Sequence, residues 1–246
     1  MCCRYLLERE HLADVLRRLG LRMPDESLFR TRYNIPPGGG VETIKIRPHP
    51  ESSTAPTREW TTMHWGLIPA WARERKGFGA SMANARAESV ADKPVFRNAW
   101  KRRQRCLIPA SGFFEWEKQG KLRLPWLFRR RDGQPFCFAG LWESWRDPSD
   151  HSTIESCTLI TTTPNPLLAR IHDRMPVMLD EAAMEAWLNP ETDSPERLLQ
   201  PYAADEMTAT PLTTRVNSAA FDDPACLELA TPESRPVPSE QLGFGF

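Results

Sequence analysis

No stretch of 18 apolar residues occurs in the chain, so no transmembrane helix is expected. Arg4, Glu8, Arg9 and Glu10 leave no apolar core for a secretory signal, which makes the cytosol the expected compartment. The cysteines are Cys2, Cys3, Cys106, Cys137, Cys157 and Cys226. None forms a C-x-x-C pair and no histidine stands at zinc-finger spacing from them, so no metal site is expected. A disulfide framework is not expected in a cytosolic chain of 246 residues. Cys106, Cys137 and Cys157 lie in apolar runs and read as small core residues.

Net charge is also lacking, but the average conceals a division. Residues 1–140 hold 26 basic and 14 acidic side chains, whereas residues 141–246 hold 6 and 18. Lys101, Arg102, Arg103 and Arg105, and the run Arg129-Arg130-Arg131, belong to the basic part. A polarised chain can turn one positive face to an anionic partner. If the two parts interleave in the fold, the polarity disappears.

Repeats, internal linkers and βαβ alternation are absent as well. Leu12, Val15, Leu16 and Leu19 mark an amphipathic helix over Glu8–Leu19, stopped by Gly20. The segment from Arg32 to Gly40, with Pro36-Pro37 and three glycines, reads as a loop. Strands are predicted at Val41–Ile46, Thr61–Leu67, Cys106–Ile108, Phe113–Trp116 and Cys157–Thr162, with a polar loop over Pro48–Thr57. Leu122–Phe128 and Pro135–Trp142 flank Arg131-Asp132-Gly133 and predict a β-hairpin. Pro164–Ile171 and Asp180–Leu188 read as helices, the second capped by Asp180, and Leu212–Val216 as the last strand. The Pro-bearing tail 231–246 is expected to be disordered. The fold class that follows is α+β. A mostly antiparallel β core, barrel-like or two packed sheets, carries peripheral helices in one domain over residues 1–230.

The chemistry begins at Met1-Cys2-Cys3-Arg4. Cys2 is small enough for methionine aminopeptidase to remove Met1, which exposes an α-amine and a thiol on adjacent carbons. Free groups of these types titrate near pH ~8 and ~8.5. An amine condenses with an aldehyde to an imine, and a neighbouring thiol closes that imine into a thiazolidine. A cysteine here by accident, or an acylated Cys2-Cys3 pair, would read the same at this stage.

Glu115 stands between Phe114 and Trp116. Partial desolvation would raise its pKa and suit it to proton transfer. Strand alternation could equally point it to solvent. His172, in Ile171-His172-Asp173-Arg174-Met175-Pro176, is either a general acid–base or a helix-terminal histidine favouring the dipole. Asn84, in Asn84-Ala85-Arg86-Ala87-Glu88, can hold an amine through its carbonyl oxygen or can cap a helix, and Arg86 can clamp a phosphate. Trp65, Trp71, Trp100 and Trp116 lie among basic positions, a composition that suits stacking on single-stranded nucleic acid or simply a Trp-rich core.

Six blocks in order carry a resemblance: Met1-Cys2, Arg32-Tyr33-Asn34, Trp65-Gly66-Leu67-Ile68-Pro69 with Trp71, Asn84 to Glu88, Phe114-Glu115-Trp116, and His172 to Pro176. Together they resemble the SRAP family of SOS-response-associated proteins, from Met1 to about Asn217. The resemblance implies covalent capture of abasic sites in single-stranded DNA, including single-strand/double-strand junctions, without a cofactor. By the family pattern Cys2, Asn84, Glu115 and His172 would be catalytic. Arg4, Asn34, Pro37, Trp71, Arg86 and Arg174 would line the DNA groove, with Arg86 and Arg174 on phosphates. It further implies a monomer in the cytoplasm, nucleoid-associated in a bacterium. An N-terminal-nucleophile peptidase or amidohydrolase using the Cys2 thiolate is the alternative. The family usually has Gly where this chain has Cys3.

Overall fold

The computed structural model describes residues 4–23, 29–47 and 57–231. Cys2, the predicted loop except for Thr57, and the predicted tail beyond Thr231 lie outside them. The chain forms β1 (Tyr5–Leu7), α1 (Arg9–Arg18), β2 (Arg32–Ile35), β3 (Gly40–Arg47), β4 (Thr57–Trp65) and β5 (Asn84–Arg86). Then follow α2 (Arg97–Lys101), β6 (Arg105–Ala110), β7 (Gly112–Gln119), β8 (Leu122–Arg130), β9 (Phe136–Arg146) and β10 (Thr153–Thr162). The last elements are β11 (Met175–Pro176), β12 (Met178–Leu179), α3 (Glu181–Leu188) and β13 (Met207–Pro211).

Two sheets result. Strands β10, β4, β3, β6 and β9 pair in that order, and β9 pairs back onto β10, which closes a five-stranded barrel. The second sheet is open, in the order β13-β8-β7-β1-β2. Pairing is antiparallel except where β10 runs parallel to β4 and β5. The barrel closes because small side chains meet in its wall. A Cβ added at Gly140 would stand 2.9 Å from the Cys106 sulfur and 3.0 Å from the Thr158 carbonyl oxygen. Cys106, Cys137 and Cys157 are fully buried, and burial pushes their thiols up, so they serve as packing groups.

Aromatic rings join the two sheets. Tyr5 of β1 meets Trp65 and Phe138 edge-on at 5.4 and 5.6 Å between centroids. Phe113 stacks on Phe128 at 5.2 Å and also reaches Phe138. Each buried ring removes 150–250 Å² or so of largely apolar surface from water. Helix α1 buries Leu12, Val15 and Leu16, as its spacing predicts, and ends at Gly20 with φ +71°. Asp180 caps α3 by accepting the Ala183 N–H at 2.9 Å.

Four local expectations are corrected. Arg32–Ile35 is a strand, not a loop, because β1 offers it a partner with Tyr5 opposite Ile35. The strands flanking Arg131-Asp132-Gly133 do not pair with each other. β8 pairs with β7 and β13, while β9 enters the barrel, so the turn is a crossing between sheets. Residues 164–171 form successive turns rather than a helix; the Asn165 side chain accepts the Leu168 N–H at 2.9 Å. The last strand is Met207–Pro211 rather than Leu212–Val216. The Val216 carbonyl is instead taken by the side chains of Arg4 and Asn34.

Candidate active site

Glu115 is set by the register of β7. Phe114 and Trp116 turn to a small apolar cluster with Leu6, Leu127 and Val216, which sends Glu115 to the opposite face. That face is not solvent: Glu115 is 2% exposed. Desolvation raises its carboxyl to about 7, and the nearby Asp173 carboxylate acts in the same sense. Its Oε1 is buried without a hydrogen-bond partner among the described residues. An orphaned acceptor of this kind is costly and marks a place for a ligand or a proton.

Asn84 starts β5, a short strand held parallel to β10 with Asn84 opposite Leu159. The residue therefore caps no helix. Its Oδ1 is likewise buried without a hydrogen-bond partner among the described residues.

His172 lies in the turn before β11, which pairs with the end of β10. Its Nδ1 accepts the Arg174 backbone N–H at 3.0 Å and stands 3.1 Å from the Asp173 carboxylate. The ring is thus served in both protonation states. Neutral, it accepts from Arg174; protonated, it can donate to Asp173. Burial lowers its pKa, so the neutral ring prevails at neutral pH. Lys118 of β7 also bears on this ring electrostatically, as Asp173 does on Glu115. The His172 turn and β7 therefore face one another across the sheets.

The start of the chain is tied to the same strand. The Phe114 N–H donates to the Arg4 carbonyl at 3.0 Å.

The predicted groove residues divide. Asn34 is fully buried, and its amide donates to the carbonyls of Val216, Ser218 and Phe221 while its oxygen accepts from Arg4 at 2.8 Å. It holds the 216–221 segment and has no surface for DNA. Arg4 is part-buried between Asn34, the Val216 carbonyl and the Trp116 ring, 5.7 Å from its centroid. Arg174 is buried, with both terminal nitrogens on Glu88. Arg86 is exposed, and Pro37 is half-buried in the loop that the Gly38 N–H pins to the Trp65 carbonyl. Trp71 is 51% exposed, edge-on to Phe78, on an exposed loop with Arg73, Arg75 and Lys76. Trp65 is core, while Trp100 and Trp116 are half-buried. The charge halves do interleave in part: Arg32 pairs with Asp222, Lys45 with Glu155 and Arg58 with Glu185.

An amide oxygen, a buried carboxylate and a histidine turn thus lie on and beside β10 and β7. The family described as SOS response associated peptidase (SRAP) matches residues 1–219. The chain belongs to the SRAP family. Among SRAP relatives it is 36% identical to "Abasic site processing protein YoqW" of Bacillus subtilis, over 93% of this chain and 99% of that one. It is 42% identical to "Abasic site processing protein YoaM" of the same organism, over 77% and 81% of the two chains. A crystal structure of a Bacteroides thetaiotaomicron protein superposes with a TM-score of 0.78 at 28% identity, covering 94% of this chain and 100% of the other. Sequence reasoning did not single out Glu88. It stands inside a quoted block, but its partner lies 86 positions away.

Proposed function

We propose that this SRAP protein captures abasic sites in single-stranded DNA as a thiazolidine on the mature N-terminal Cys2. The reading rests on Glu115: a buried carboxyl with one unpartnered oxygen and a pKa of about 7, on the strand that holds Arg4. Such a group is half ionised at neutral pH and can both give and take a proton. Two SRAP relatives bear names that describe abasic-site processing, which supports the substrate.

The neutral α-amine of Cys2 adds to C1′ of the ring-opened sugar and forms a carbinolamine. Glu115 in its acid form protonates the departing hydroxyl, and one water leaves as the imine forms. The Cys2 thiol then adds sulfur to C1′ while its proton passes to the nitrogen. The product is a thiazolidine, with a net loss of one water. The Asn84 Oδ1 accepts a hydrogen bond from the amine and orients it. His172 assists opening of the sugar at the ring oxygen. Arg86 and the exposed Trp71 serve the DNA strand by phosphate contact and stacking, so binding is independent of sequence and weakened by salt.

Mature protein is incubated with single-stranded DNA containing one abasic site, and a heat-stable covalent species is sought on a denaturing gel. Intact mass establishes that Met1 is absent. The expected crosslink disappears in Cys2→Ala. A crosslink that survives this change refutes the mechanism. Amide cleavage without a crosslink would favour the hydrolase reading, which the peptidase in the family's description also suggests.

A further inference from the structure

We propose that Glu88 is a positioning residue, whose clamp on Arg174 fixes the turn that presents His172. The inference rests on the crosslinking reading above. Arg174 Nη1 donates to Glu88 Oε1 at 2.9 Å and Nη2 to Oε2 at 2.8 Å, a two-point match of guanidinium to carboxylate. Nη2 also donates to the Thr161 carbonyl at 2.8 Å. Arg174 is 7% exposed. Desolvation favours the neutral form of Glu88, yet the hydrogen bonds and charge of Arg174, with the backbone N–H of Glu88 itself and the charge of Arg86, together outweigh it and hold the carboxyl below its ordinary value. The clamp therefore persists through neutral pH.

Its placement gives it a use. Glu88 lies in the short 3-10 turn directly after β5, the strand of Asn84 and Arg86. Arg174 lies in the turn before β11. Both flank the same stretch of β10, where Thr161 stands opposite Arg86 on one side and Pro176 on the other. The clamp thus crosses β10 and ties the Asn84 strand to the His172 turn. The backbone N–H of Arg174, the clamped residue, is the one that holds His172 Nδ1. Between β10 and β11 the backbone runs through turns, in which the His172 N–H donates to the Leu168 carbonyl at 2.9 Å.

Glu88→Ala and Glu88→Gln of the mature full-length protein separate this role from general stability. Three quantities are read: Kd for intact single-stranded DNA, the first-order crosslinking rate at saturating abasic DNA, and the His172 ring titration by NMR. The charged groups facing that ring among the described residues, Asp173 and Lys118, are unchanged in both variants. Glu88→Ala should slow the saturated rate by roughly 10- to 100-fold, the cost of a slightly misplaced group, with Kd within about twofold of wild type. The His172 titration should shift, and Glu88→Gln, which keeps one acceptor oxygen, should recover part of both. An unchanged rate and titration overturn the proposal. So does a loss confined to the fraction of active protein, which is the signature of a merely structural role. Tighter DNA binding in Glu88→Ala overturns it too, since Glu88 would then compete with phosphate for Arg174. If wild-type protein forms no crosslink, the crosslinking reading fails, whereas the His172 titration still decides the clamp.

Discussion

Glu115→Gln should inactivate the protein and stabilise it. The wild-type carboxyl is carried from 4.5 in the unfolded chain to about 7 in the native state, chiefly by desolvation. One pKa unit corresponds to about 1.4 kcal/mol, so the ionised form costs the native state roughly 3 kcal/mol. With the folded value raised, the native state binds the proton more tightly than the unfolded chain. Stability therefore falls as pH rises from 4.5 to about 7 and is level above that window. Gln carries the same shape without the charge and escapes this loss. Denaturant unfolding of both proteins between pH 4 and 8 measures the difference. It should be near zero at the acid end and grow to about 2–3 kcal/mol at pH 8, or roughly 5–10 °C in Tm for a chain of this size. Crosslinking by the wild type should titrate near neutrality and be lost in the variant. A difference in stability that does not change with pH, or a variant less stable than wild type at pH 8, refutes the burial argument.

Asn34→Ala should cost about 2–4 kcal/mol in unfolding experiments, because four hydrogen bonds are removed and the Arg4 guanidinium loses an acceptor. Once folded, the variant should bind single-stranded DNA as wild type does, which a fluorescence titration below its Tm would measure; a selective loss of affinity would return Asn34 to the DNA surface. Trp71→Ala should leave Tm within about 1 °C, since the ring is half exposed, yet weaken single-stranded DNA binding by ~1–3 kcal/mol if a base stacks there. Unchanged affinity would assign Trp71 to its contacts with Phe78 and the Pro94 carbonyl.

Elements written in local signals were legible before the fold was known. The apolar stripe of α1, the Asp180 cap of α3 and the small apolar cysteines need only neighbouring residues to be read. Elements that depend on a distant partner were not. Arg32–Ile35 precedes two prolines and a run of glycines, and only β1 makes it a strand. The Asp-Gly turn after β8 is identical in sequence whether the flanking strands pair or part. Asn84 fits a helix cap equally well until β10 is placed beside it.

The candidate site divides in the same way. Sequence alone determined its inventory: a cysteine at position 2, a carboxylate among aromatics, a histidine beside Asp173 and Arg174. These are chemical identities, and six blocks in order suffice to name the family. Sequence did not determine which side chains are spent on holding the fold. Tertiary structure decided that Glu115 faces inward, since β7 register depends on the cluster under Phe114 and Trp116. It decided that Asn34 bonds the 216–221 segment and that Arg174 bonds Glu88. Burial and hydrogen-bond partners are properties of residues brought together from far apart in the chain. That is why the same arginine reads as a phosphate ligand in the sequence and as a strut in the structure.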